Sequence, residues 1–157
     1  MNADQDRGWL ELAIELALES AEAGGPFGAL VVQQGEVLGR GTNRVTADLD
    51  PTAHAEVVAI RGACRAVSAF SLAGATMYAS CEPCPLCLAA ALWARVSRVV
   101  YAADRRDAAR SGFDDAVFHD VISFRGGTDL LEVVHVSVPG AQRPFEAWLS
   151  NPARVPY

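Results

Sequence analysis

The stretch YASCEPCPLCLAAALWAR, residues 78–95, decides how the rest of the chain is read. Residues 75–81, ATMYASC, form an apolar, β-branched and aromatic run that predicts a strand. A turn bounded by Pro83 and Pro85 follows, and residues 82–96 predict a helix, with proline where a helix start tolerates it. Cys84 and Cys87 then stand at i and i+3 in the first turn and share a face. Free backbone N–H groups and the dipole at that end favour thiolate over thiol. Three cysteines in seven residues could be half of a metal site, a redox pair or part of a disulfide framework. The choice depends on what the rest of the chain adds.

Upstream, DPTAHAEVVAIRGACRAV (50–67) has helical spacing, with Thr52 after Pro51 as a candidate N-cap. His54 falls in its first turn. A catalytic zinc takes three protein ligands and leaves a position for water, and His54, Cys84 and Cys87 supply three. Glu56 lies two residues on. On a helix these two residues do not share a face, but at a helix end both can reach a metal in front of the terminus. A carboxylate there can shuttle protons for a metal-activated water, or it can simply be a first-turn acid that suits the dipole. The other two histidines, His119 and His135, read as surface or satisfied structural residues. Cys64 and Cys81 read as small apolar fillers, Trp93 as core, and Glu82 as a turn residue whose backbone could face a ligand.

Further outward, residues 6–24 carry apolar positions 9, 10, 13, 14, 16, 17 and 18, a helical stripe closed by Gly24 and Gly25. FGALVVQQ (27–34) and EVLGRGTN (36–43) predict a hairpin around Gly35. RVVYAAD (98–104) predicts a strand parallel to 75–81, because a helix separates them. Residues 107–112 and 114–124 predict short helical turns, LEVVHVSV (131–138) a fifth strand, and PFEAWLSN (144–151) a last helix. The expected fold is α/β, a three-layer sandwich with a mixed five-stranded sheet flanked by helices. With 157 residues the chain fits a single domain, 1–157.

The net charge of −6 and the absence of a Lys/Arg cluster argue against a general nucleic-acid binder. The longest apolar runs are too short to span a bilayer, and the first residues, MNADQDRGW, do not have the pattern of a secretory signal. The expected location is the cytoplasm, where close cysteines more often mean metal or redox chemistry than disulfides.

Taken together, H-A-E at 54–56 and P-C-P-L-C at 83–87 match the H-x-E…P-C-x-x-C signature of zinc-dependent nucleobase deaminases. The chain resembles the cytidine deaminase-like superfamily and, more narrowly, the bacterial guanine deaminases. The stretches that carry the resemblance run from PFGALVV (26–32) through GTNRVT (41–46), DPTAHAEVVAIR, YASCEPCPLCLAAALWAR and VVYAADRRDAARSGFDD (99–115) to PFEAW and the terminal Tyr157. SGFDD (111–115) and the PF-x-A-W…Y tail are the discriminating pieces. The resemblance implies zinc held by His54, Cys84 and Cys87, with Glu56 as proton shuttle and a purine base as substrate. It implies base contacts from Phe27, Asn43, Ala55, Asp114, Asp115 and Tyr157. It also implies a homodimer that can exchange the C-terminal segment, about 144–157, between subunits. Other readings of the same residues stay open: Asn43 as a turn residue, Phe27 as core, Asp114-Asp115 as a helix cap. At the level of function the alternatives are a deaminase of guanosine, a pterin or an aminotriazine, a tRNA adenosine deaminase, a non-catalytic zinc-binding module, and a redox protein.

Overall fold

The computed structural model describes residues 3–21, 24–123 and 143. Helix α1 (Ala3–Ala21) leads into the hairpin of β1 (Gly28–Gln33) and β2 (Glu36–Thr42); then come α2 (Val45–Asp48), α3 (Ala55–Ala66), β3 (Thr76–Cys81), α4 (Pro85–Trp93), β4 (Arg98–Ala103), α5 (Arg105–Arg110) and α6 (Ala116–Ile122). The described strands form a mixed sheet in the order β2-β1-β3-β4, with β1 antiparallel to both β2 and β3, and β3 parallel to β4. The expected fifth strand, 131–138, and the expected helix 144–151 lie outside the described residues. Among the described residues no helix is long and apolar enough to cross a membrane.

The central strand β1 shows why the sheet has helices on both faces. Its residues Gly28 to Val32 are all buried, so it reads as a continuous apolar run and not as an alternation. Ala29 and Val31 pack with Ala55, Ala59, Ile60 and Ala63 of α3 and Ala91 of α4. Leu30 and Val32 pack on the opposite face with Tyr78, Trp9, Leu10 and Leu16. That is the expected three-layer arrangement of α1, sheet, and α3 with α4. The hairpin turns where expected, with Gln34 and Gly35 both at positive φ (52° and 81°), the combination a two-residue type I′ turn demands.

Close approach fixes α3 over β2. A Cβ placed on Gly41 would collide with the Ala55 carbonyl oxygen, and one on Gly39 with that of Ala59. The helix axis therefore lies directly on the strand, and its N-terminus, with His54, comes to one end of the sheet. Helix boundaries differ from the sequence reading at this end. The N-cap of α3 is His54 and not Thr52, whose N–H and hydroxyl instead donate to Asp50 Oδ1 (2.8 and 2.6 Å). Trp93 is also corrected: it is 63% exposed. The face of α4 that enters the core is Cys87, Ala91 and Ala94, spaced i, i+4, i+7, and Trp93 lies off that stripe. Helix α2 had no sequence signal, being a single turn.

A polar tie holds α1 to the sheet. Tyr78 Oη donates to Asp6 Oδ1 (2.8 Å), and Arg98 grips the same carboxylate with both Nη atoms (2.8 and 2.7 Å). The Arg98 hydrogen bond above all, and then that of Tyr78, holds Asp6 at about 2, below its ordinary 3.8. A carboxyl depressed in the folded state contributes stability that is complete above its unfolded pKa. That contribution is lost as pH falls through the window between the two values. Denaturant midpoints measured from pH 5 down to about pH 2 should therefore fall more steeply for the native chain than for Asp6→Asn; parallel curves would remove Asp6 from the acid response.

Candidate metal centre and substrate cavity

The metal site is assembled from two helix starts. His54 caps α3 and Cys84 caps α4, both in extended backbone conformation (φ −66°, ψ 152° and φ −66°, ψ 169°) and neither spending its side chain on a cap hydrogen bond. Cys87 lies one turn inside α4 and is fully buried. His54 Nδ1 stands 3.5 Å from Cys84 Sγ and 3.5 Å from Cys87 Sγ, and the two sulfurs are 3.6 Å apart. Tetrahedral zinc, at about 2.3 Å from sulfur and about 2.0–2.1 Å from nitrogen, sets its sulfurs about 3.8 Å apart and sulfur from nitrogen about 3.6 Å. The triangle fits that ion. Among the described residues it is the one group of three or more His, Cys, Asp or Glu side chains able to hold a metal.

The protonation pattern suits the same conclusion. The hydrogen bond from Cys87 above all, then His54, brings Cys84 down to about 4, so it is a thiolate at neutral pH. The same sharing with Cys84, followed by burial, pushes Cys87 well up. The hydrogen bond to Cys84 raises His54. One thiolate, one thiol and an imidazole within 3.6 Å form a set from which a divalent cation displaces protons. Cys81 is apart from this set: burial lifts its thiol to about 11, and its Sγ donates to the Asp104 carbonyl (3.5 Å). Both remaining cysteines are free thiols: Cys64 packs partly buried against the core, and Cys81 is buried at the end of β3.

Glu56, in the first turn of α3, is buried, with 8% of its surface exposed. Burial raises its pKa, against the opposing pull of hydrogen bonds from its own backbone N–H and from Cys87. A carboxyl raised by burial, beside a prospective metal-activated water, is suited to proton transfer.

Glu56, His54 and Cys84 open onto a cavity of about 450 Å³. Phe27, Asn43, Asp114 and Asp115, the residues named for base contact, line it. Asn43 is fixed by accepting the Val45 N–H on Oδ1 (3.2 Å), which leaves its amide NH2 to donate. The two aspartates differ. Asp114 Oδ1 accepts the Ala116 N–H (3.0 Å) and so closes the turn into α6, whereas Asp115 is 3.2 Å from His119 Nε2. Ala55 is fully buried against β1 and β2 and is not among the cavity-lining residues. Tyr157 and His135 lie outside the described residues. Sequence reasoning passed over Phe113, which meets Phe27 edge-to-face (centroids 5.0 Å, 86°) and completes an apolar wall. The signal was present: Phe113 is the centre of SGFDD, where only the acids were weighed. Arg105 and Glu82 also line the cavity, the Glu82 carboxylate accepting the Arg105 backbone N–H (3.1 Å).

Comparison with known proteins agrees with this construction. The model of the cytidine and deoxycytidylate deaminase zinc-binding region matches residues 3–103. A guanine deaminase of Bacillus subtilis is 44% identical over 142 residues, covering 89% of this chain and 91% of the relative. A tRNA-specific adenosine deaminase of Buchnera aphidicola is 34% identical over 119 residues, covering 75% and 79%. Among solved structures, the X-ray structure of the Bacillus subtilis guanine deaminase superposes with a TM-score of 0.92 at 42% identity over 100% of this chain and 99% of that one. A guanine deaminase from Nitrosomonas europaea does so at 0.65, with 32% identity over 68% and 63%. With the ligand triangle, the buried glutamate and the α/β fold all in place, the chain belongs to the zinc-binding cytidine and deoxycytidylate deaminase family.

Proposed function

We propose that the protein hydrolyses guanine to xanthine and ammonia. The observation that carries this reading is the convergence of Glu56 with the His54–Cys84–Cys87 triangle at one wall of a cavity whose other walls offer Phe27, Asn43 and Asp115. The similarity to guanine deaminases over nearly the whole chain supports it.

His54, Cys84 and Cys87 hold zinc, which when bound supplies a Lewis acid that makes water nucleophilic near neutral pH. The ring lies against Phe27, backed by Phe113. The Asn43 amide NH2 donates to the base near the reacting carbon. The carboxylate of Asp115 accepts from the N1–H and 2-amino group of guanine, donors that adenine and cytosine do not present in that arrangement. Glu56 takes the proton from water as its oxygen attacks C2. It then delivers protons to the ring nitrogen and to the amino group, which leaves as ammonia. Backbone N–H groups at the start of α4 face the developing charge. Burial of Glu56 serves both halves of this cycle, because the group must be a base first and an acid afterwards.

The chain acts as a single domain in the cytoplasm and as a homodimer. The exposed apolar side chains Leu92 and Trp93 of α4 and Phe118 and Ile122 of α6 offer a surface for a second copy. The C-terminal segment with Tyr157 closes the cavity, in its own subunit or exchanged. Ammonia release by the zinc-loaded protein, with guanine, guanosine, adenine, cytosine and cytidine supplied separately, tests the substrate. Release from guanine alone is the expected result. Release from another of the five would keep the zinc chemistry and overturn the assignment of Asp115.

A further inference from the structure

We propose that His119 is a positioning residue that aims the Asp115 carboxylate into the cavity, an inference that rests on the guanine reading above. Asp115 occupies the N-cap position of α6, where an aspartate ordinarily bonds the first free N–H groups of the helix. Here its side chain makes no cap hydrogen bond. Two neighbours account for that. Asp114 takes over the first turn by accepting the Ala116 N–H. His119, one turn along α6, sets its Nε2 3.2 Å from Asp115 Oδ2. That nitrogen is shielded from solvent and has no aligned hydrogen-bond partner among the described residues; Asp115 Oδ2, at 3.2 Å, is an acceptor that a small side-chain rotation would bring into line. The two side chains are only 23% and 20% exposed, which limits the screening that makes surface pairs weak.

The consequence is a division of labour between the two carboxylate oxygens. Oδ2 faces His119, and Oδ1, with its two lone pairs, is left to accept from the N1–H and the 2-amino group of the base. A carboxylate free to rotate at a helix start would fall back to capping, or would sample orientations in which neither oxygen faces the base. Holding it beforehand lowers the ordering cost of recognising the N–H edge of the base. Phe118, the preceding residue of α6, lines the same cavity, so the helix that carries His119 is part of the wall and not a distant support.

The test compares His119→Ala and His119→Gln with the native zinc-loaded protein. Two ligands are used: guanine, followed by KM and kcat, and unsubstituted purine as a competitive inhibitor, which lacks both the N1–H and the 2-amino group. His119→Ala is expected to raise KM for guanine about tenfold, the scale of one hydrogen bond to a charged group, while the purine inhibition constant stays within about twofold. His119→Gln, whose amide N–H can still reach Asp115, is expected to recover most of the loss. A guanine KM unchanged in His119→Ala overturns the inference. So does an equal weakening of both ligands, because that marks collapse of α6 and not loss of aim. The pairing itself is read without turnover from the ring ¹⁵N signals of labelled histidine. Asp115→Asn should move the His119 Nε2 resonance, and a resonance that stays in place overturns the pairing. If the native protein releases no ammonia from guanine while that resonance does move, the substrate reading fails and the His119–Asp115 pair stands.

Discussion

Replacing Glu56 by glutamine leaves about one equivalent of zinc bound and lowers kcat on guanine by about 10² to 10⁴, the usual contribution of a positioned acid–base group. Glutamine keeps the shape, so the buried first turn of α3 stays packed, but it can neither accept the proton of water nor return one. Because Glu56 is not one of the three groups in the ligand triangle, metal content should not follow activity. Metal analysis and steady-state rates on the same preparation make the comparison. A variant with full activity would remove Glu56 from the chemistry. A variant that loses zinc in proportion to activity would turn it into a ligand or a support for one.

Replacing Cys84 by alanine abolishes both metal binding and turnover. Cys84 carries the thiolate of the set, and the triangle closes only if both sulfurs and His54 Nδ1 are present. The remaining His54 and Cys87 offer two donors, too few for a closed or catalytic zinc site. Stability should drop as well, since a ligand bound only by the native state adds about 2.7 kcal/mol at a hundredfold excess over its dissociation constant. The measurement is a thermal melt with and without added zinc: the native chain shifts upward and Cys84→Ala does not. Unchanged zinc content in the variant would exclude Cys84 from the ligand set.

Much of this site was legible before any coordinates, because its parts are local. Cys84 and Cys87 belong to one helical turn, and Pro85 marks that turn as a start. His54 and Glu56 belong to another. Three donors of the right kinds, and an acid that is not needed as a fourth, are enough to suggest a catalytic zinc. The strand order was partly legible too, since a helix between 75–81 and 98–104 favours a parallel pair, as β3 and β4 are.

Other features depended on facing, which spacing alone does not give. Trp93, in ALWARV, reads as core from the sequence. The stripe Cys87–Ala91–Ala94 faces inward instead, because α4 must pack beside α3 on the sheet. Asp114 and Asp115 are adjacent and chemically identical, yet one closes a turn and the other meets His119. His119 stands four residues after Asp115, so their pairing was already in the spacing; what the tertiary structure adds is that α6 lines the cavity.

The sequence by itself determined the chemistry: which residues can bind zinc, which can move a proton, and that both sit at helix starts. Only the tertiary structure decided that the two helix starts meet. His54 and Cys84 are separated along the chain by α3 and β3. They come within 3.5 Å because the small residues of β2 let α3 lie flush on the sheet, beside the helix that leaves β3. Close packing, a property of whole surfaces and not of any short stretch, turns two half-sites into one metal centre.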